Sequence, residues 1–97
     1  MLKKEKDDKL LIDKAIEESN MYLEMYQSKL NYYVDYLKKF EEEKDEYIKN
    51  SSIFNYEIER NSILENIKKY KIEIDSEKDS INRMLSTKKV INKSNEK

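Results

Sequence analysis

The 97-residue sequence predicts an all-α fold: an antiparallel helical hairpin, that is, a two-helix coiled coil, with two hairpins expected to dimerise into a four-helix bundle. Two runs of apolar residues repeat at intervals of three and four, the runs are out of phase with each other, and a cluster of turn formers lies where the phase changes. A 3.5-residue repeat keeps one stripe of a helix facing a partner as the two wind together, whereas a strand would need strict alternation.

The chain opens on Met1-Leu2-Lys3-Lys4-Glu5-Lys6-Asp7-Asp8, expected to be a charged N-terminal tail over residues 1–8. Helix 1 is predicted over 9–49. Its seam runs Ile12, Ile16, Ser19, Leu23, Tyr26, Leu30, Tyr33, Leu37, Phe40, Lys44 and Tyr47, of which nine of eleven are apolar or aromatic. Freedom from Gly and Pro, with abundant Glu, Lys, Leu and Ile, agrees with a helix at the level of propensity.

Carried past Tyr47, the same phase would place Asn61, Glu65 and Lys68 in the seam. The apolar run actually present is displaced by two residues, a shift that neither a stutter nor a stammer supplies, so the chain is expected to reverse direction. The turn is predicted at Asn50-Ser51-Ser52, residues 50–52: Asn tolerates a left-handed helix end, and Ser can accept from the free N–H groups of the next helix. Helix 2 is predicted over 53–91, with the seam Ile53, Tyr56, Arg60, Ile63, Ile67, Tyr70, Ile74, Glu77, Ile81, Met84, Lys88 and Ile91; a C-terminal tail covers 92–97. Two other candidate breaks, the capping-box match Ser62-Ile63-Leu64-Glu65 and the polar stretch Asp75 to Ser80, leave the heptad phase undisturbed and read as surface inside one helix. The whole is one domain.

Antiparallel pairing brings Leu37 near either Ile63 or Tyr70, in registers a heptad apart. The polar seam members Lys44, Arg60, Glu77 and Lys88 could pin that register, but they are expected to pack their stems and carry their charged ends to water.

Helix 1 carries a second stripe at heptad positions c and g: Leu11, Ala15, Glu18, Tyr22, Met25, Lys29, Tyr32, Tyr36 and Lys39. It lies about 110° around the helix from the seam, so one partner helix cannot cover both. Its apolar members, Leu11, Ala15, Tyr22, Met25, Tyr32 and Tyr36, are therefore the predicted protein interface. Tyr26, Tyr33 and Tyr47 belong to the seam and are assigned to the hairpin's own core. The extra apolar residues of helix 2 (Phe54, Ile58, Leu64, Ile72 and Leu85) are scattered over three heptad positions.

Composition excludes much chemistry. The chain has no Cys, His, Gly, Pro or Trp, so zinc-finger ligation, thiol or imidazole catalysis and a glycine-rich phosphate loop are ruled out. Carboxylates share a helical face at Glu41 with Asp45, Glu42 with Glu46, Glu73 with Glu77 and Asp75 with Asp79; without a His these read as a solvated acidic face, and no metal or other cofactor is expected. Net charge is −1 from 20 basic and 21 acidic residues, which favours neither nucleic acid nor membrane globally. Residues 41–61 carry seven acids against three bases, residues 62–97 nine bases against six acids. Arg83, Lys88, Lys89, Lys93 and Lys97 near the C-terminus supply an alternative, phosphate-contacting reading. No apolar stretch suits a signal peptide or a membrane span, so a cytoplasmic setting is expected, an export route without a cleaved signal being the exception.

In length and mid-chain turn the chain resembles the small helical-hairpin proteins of the WXG type. Its turn reads Asn50-Ser51-Ser52 instead of Trp-x-Gly, and no Tyr is followed four residues later by an acid, so the likeness is one of shape. The function expected is a non-enzymatic coiled-coil interaction module, homodimeric, with a protein partner, acting as a small regulator, inhibitor or assembly subunit. The alternative is a nucleic-acid-binding hairpin.

Overall fold

A computed structural model describes the backbone from Leu2 to Asn95 and the side chains of residues 8–92. Three helices follow one another: α1 (Leu2–Glu42), α2 (Lys44–Asn50) and α3 (Ile53–Asn95). The two long helices pack antiparallel and α2 connects them, so the fold is a helical hairpin. Helical backbone extends past the predicted bounds, taking in most of 1–8 and 92–97. Neither stretch holds a Gly or Pro to stop the backbone hydrogen bonding. Ser62 to Glu65 and Asp75 to Ser80 both lie inside α3.

Where one helix was predicted over 9–49, Glu43 interrupts it, with φ −95° and ψ 13°. The interruption costs little hydrogen bonding. The Glu43 N–H donates to the Lys39 carbonyl at 3.1 Å, and the Tyr47 N–H donates to the Glu43 carbonyl at 3.0 Å.

The reversal is made without a left-handed residue. Among the described residues no φ is positive, so Asn50 is not the left-handed terminator expected of it. It stays helical, and Ser51 turns the chain at φ −137°, ψ −109°, its N–H held by the Tyr47 carbonyl at 2.9 Å. Ser52 then caps α3: its Oγ accepts from the Asn55 N–H at 3.0 Å, while the Asn55 side-chain amide donates to Ser51 Oγ at 2.8 Å. Ser52→Ala should therefore cost about 1 kcal/mol, the usual worth of a serine cap. A urea titration reads the loss as a lower midpoint; an unchanged midpoint would remove Ser52 from the energetics of the turn.

Two compact units share α1 and α3, one of residues 26–73 and the other of residues 1–25 with 74–97. In the unit of residues 26–73, Phe40, Tyr56, Ile63 and Ile67 are buried, and Leu30, Tyr33, Leu37, Tyr47 and Ile48 pack against them. Phe40 stacks on Tyr56 with ring centroids 4.8 Å apart, and Tyr33 stacks on Tyr70 at 5.7 Å. These two pairs bracket Leu37 on one arm and Ile63 on the other, which selects the register with Leu37 across from Ile63.

In the other unit Ile74 is buried, and the seam members Ile12, Ile16, Leu23, Ile81, Met84 and Ile91 are half-buried. Every seam position of both runs is at least half-buried except Lys44, the first residue of α2, and Ile53, the first residue of α3.

Two polar seam residues do more than carry their charge to water. Arg60 Nε lies 3.6 Å from Glu41 Oε1, and Lys88 Nζ pairs with Asp13 Oδ1, each an ion pair across the two arms. Exposed pairs of this kind stabilise by about 0–1 kcal/mol, so their larger contribution is to register. Lys44 does reach solvent, with its Nζ 5.4 Å from the Tyr56 ring centroid, and Glu77 is half-buried.

Candidate protein-interaction face

An α-helix whose seam already faces α3 has one remaining way to use apolar side chains, which is to offer them outward. On α1, Leu11 is 65% exposed and Tyr32 62%, with Tyr22 and Met25 also exposed. Ala15 is half-buried, its short side chain lying close to the backbone, and the polar members Glu18, Lys29 and Lys39 are exposed. Leu10 and Met21 widen the face. They precede Tyr32 at eleven-residue spacing, close to three helical turns, so all three lie on one line of the helix. That spacing was present in the sequence, but a strict heptad reading passes over it.

Among the described residues fourteen large hydrophobic side chains are exposed and five hydrophobic residues are buried. Single exposed apolar residues are ordinary, whereas an aligned series is not. On α3 the exposed ones, Ile53, Phe54, Ile58, Ile72, Leu85 and Val90, are spread from the first turn of the helix to beyond residue 85; Leu64 is half-buried.

Tyr36, at 38% exposure, divides its ring between this face and the hairpin itself. It stacks on Phe40 at 6.2 Å with 9° between the rings, and its hydroxyl donates to Glu59 Oε1 at 3.2 Å. Tyr47 donates to the other oxygen, Glu59 Oε2, at 2.7 Å. Glu59 thus ties Tyr36 of α1 and Tyr47 of α2 to α3. Nothing in a heptad pattern marks it, because its role depends on hydroxyls that only the folded register brings near.

Tyr26, Tyr33 and Tyr47 are half-buried on the side of α3: Tyr33 and Tyr47 pack against the buried cluster, Tyr47 beside Phe40 and Tyr56, while Tyr26 lies against Tyr70 outside that cluster. Tyr32 stands edge-on to Tyr33 at 5.2 Å and stacks with Tyr36 at 6.2 Å, so the exposed rings are braced by those beneath. Braced rings offer apolar area at little further entropy cost on binding.

The Glu59 contacts also set the titration of these hydroxyls. Partial burial, followed by the Glu59 charge and hydrogen bond, raises the Tyr36 pKa above its ordinary 10.0; for Tyr47 the hydrogen bond to Glu59 is the largest cause of a rise in the same direction. A raised folded-state pKa contributes stability that is whole below the unfolded value and fades as pH climbs through the folded one. Stability should therefore fall above pH 10. Glu59→Gln keeps an acceptor and removes the charge, so part of the tyrosinate absorbance should develop at lower pH in that variant; superimposable titrations would dismiss Glu59 as the cause.

Of the basic set, Arg83 pairs with Asp79 at 2.8 Å and Lys88 with Asp13, while Lys89 is exposed. The side chains of Lys93 and Lys97 lie outside the described residues. Lys88 and Lys89 border a shallow depression on α3, and Phe40, Tyr47 and Ser51 border another at the turn. Among the described residues no three His, Cys, Asp or Glu side chains converge as a metal site, and no helix is long and apolar enough to cross a membrane. Comparison with protein families, with curated proteins and with solved structures finds no match to the chain.

Proposed function

We propose that this protein is a non-enzymatic helical interaction module, a small regulator or assembly subunit of the cytoplasm, that works by seating a further helix on the second face of α1. One observation carries the reading: Leu11, Tyr22, Met25, Tyr32 and Tyr36 are exposed on one side of a helix whose other apolar side is already covered by α3. A helix with two apolar faces is stable in water when both are covered, as in a bundle. The engagement of Arg83 and Lys88 by acids of the same chain gives the nucleic-acid alternative no added support.

The test is an aspartate placed on the face and another placed off it. Met25→Asp should abolish association in sedimentation equilibrium with helical dichroism intact. Phe54→Asp, at an exposed apolar residue of α3, should leave association unchanged. The reverse pattern would move the interface to α3 and end this reading.

A further inference from the structure

We infer that the occupant of the α1 face is the α1 helix of a second copy of this chain, running antiparallel to the first about a two-fold axis between Tyr22 and Met25. The inference rests on the interaction-module reading and adds to it the identity and direction of the partner. Its basis is the order of residues along the face. From Leu11 to Tyr36 the stripe advances by alternate steps of four and three, beginning and ending on four, so its spacing is the same read backwards. Laid against its own reverse, Leu11 meets Tyr36, Ala15 meets Tyr32, Glu18 meets Lys29, and Tyr22 meets Met25. Each layer joins a c position to a g position, and each occurs twice, as a two-fold interface requires.

The chemistry of the layers agrees with their spacing. The only charged members between Leu11 and Tyr36 are Glu18 and Lys29, opposite in sign and facing each other. The smallest member, Ala15, is half-buried and receives Tyr32, a ring that is 62% exposed. Beside the stripe the same reversal sets Lys14 near Asp35, both exposed, a second complementary pair in the place where flanking charges choose orientation in coiled coils. A parallel second copy would put Glu18 against Glu18 and Lys29 against Lys29. Among the described residues Glu18 forms no ion pair within its own chain, and the Lys29 ammonium lies 5.8 Å from the Tyr70 ring centroid without a carboxylate partner.

Charge reversal tests the arrangement in the full chain. Glu18→Lys makes both reciprocal contacts lysine against lysine, and Lys29→Glu makes both glutamate against glutamate. Each variant alone should self-associate about tenfold more weakly than the natural chain or worse, since facing like charges cost heavily at an interface. An equal mixture of the two should form a one-to-one heterodimer at close to natural affinity, because both contacts are then opposite in sign. In a parallel dimer each single variant would associate much as the natural chain does.

Both side chains are exposed, and recovery on mixing shows that the variants are folded. If the single variants dimerise normally while Met25→Asp still dissociates the protein, the antiparallel geometry is overturned and the α1 face stands as the interface. A natural chain that stays monomeric at high micromolar concentration overturns the second copy as occupant.

Discussion

Truncating Ile63 and Ile67 to alanine together should leave a chain that no longer folds at room temperature. Both are buried in the cluster with Phe40 and Tyr56, and an isoleucine removed from a packed site costs about 2–5 kcal/mol. A chain of this size has about 5–15 kcal/mol of total stability, with only five buried hydrophobic residues among those described. Two truncations in one cluster also share a cavity, so their effects need not simply add. Far-UV dichroism and urea titration read the outcome. A double variant that kept both its helical signal and its midpoint would mean that this cluster does not hold the arms together. Leu30 and Leu37 pack on the same cluster but are half-buried, so their truncation belongs at the lower end of the range.

Replacing Tyr22 and Tyr32 by serine should do the opposite, weakening association and sparing the fold. Both rings are at least half exposed, and a tyrosine that acts as an interface hot spot contributes about 2 kcal/mol, about thirtyfold in affinity for one residue. Sedimentation equilibrium should show dissociation at concentrations where the natural chain is associated, with helical content retained. Tyr36→Ser should damage both properties, because the same side chain stacks on Phe40 and donates to Glu59. If the Tyr22 and Tyr32 double variant unfolds as readily as the isoleucine variant, those rings support the hairpin and the division of α1 into two faces is wrong.

The hairpin was legible in the sequence because burial on a coiled helix repeats with the period of the helix. Ile12 through Tyr47 and Tyr56 through Ile91 needed no tertiary knowledge to be recognised as seams, and Lys44 and Ile53 depart from them only at the starts of α2 and α3. The register was not legible, since both candidates satisfy the same period; ring pairs such as Phe40 with Tyr56 distinguish them only in three dimensions. Cross-arm polar partners escaped for a related reason. Asp13, Glu41 and Glu59 look like any solvated acid until the opposite arm places Lys88, Arg60 or a tyrosine hydroxyl beside them. At the turn, asparagine's tolerance of a left-handed backbone suggested a device that two serines render unnecessary.

The aromatic rings also make the molecule its own optical gauge. From Tyr26 through Tyr70, Tyr33, Tyr32, Tyr36 and Phe40 to Tyr47 and Tyr56, each ring lies within 6.3 Å of the next, and the entire series falls in residues 26–73. The chain has no tryptophan to mask it, and Tyr22 is the only tyrosine in the other unit. Near-ultraviolet dichroism therefore follows the melting of one unit, whereas far-ultraviolet dichroism follows the helices of both. Coincident curves from the two wavelength ranges mean that the hairpin melts as one cooperative body. Curves that part company give the separate stability of each unit, with no label attached.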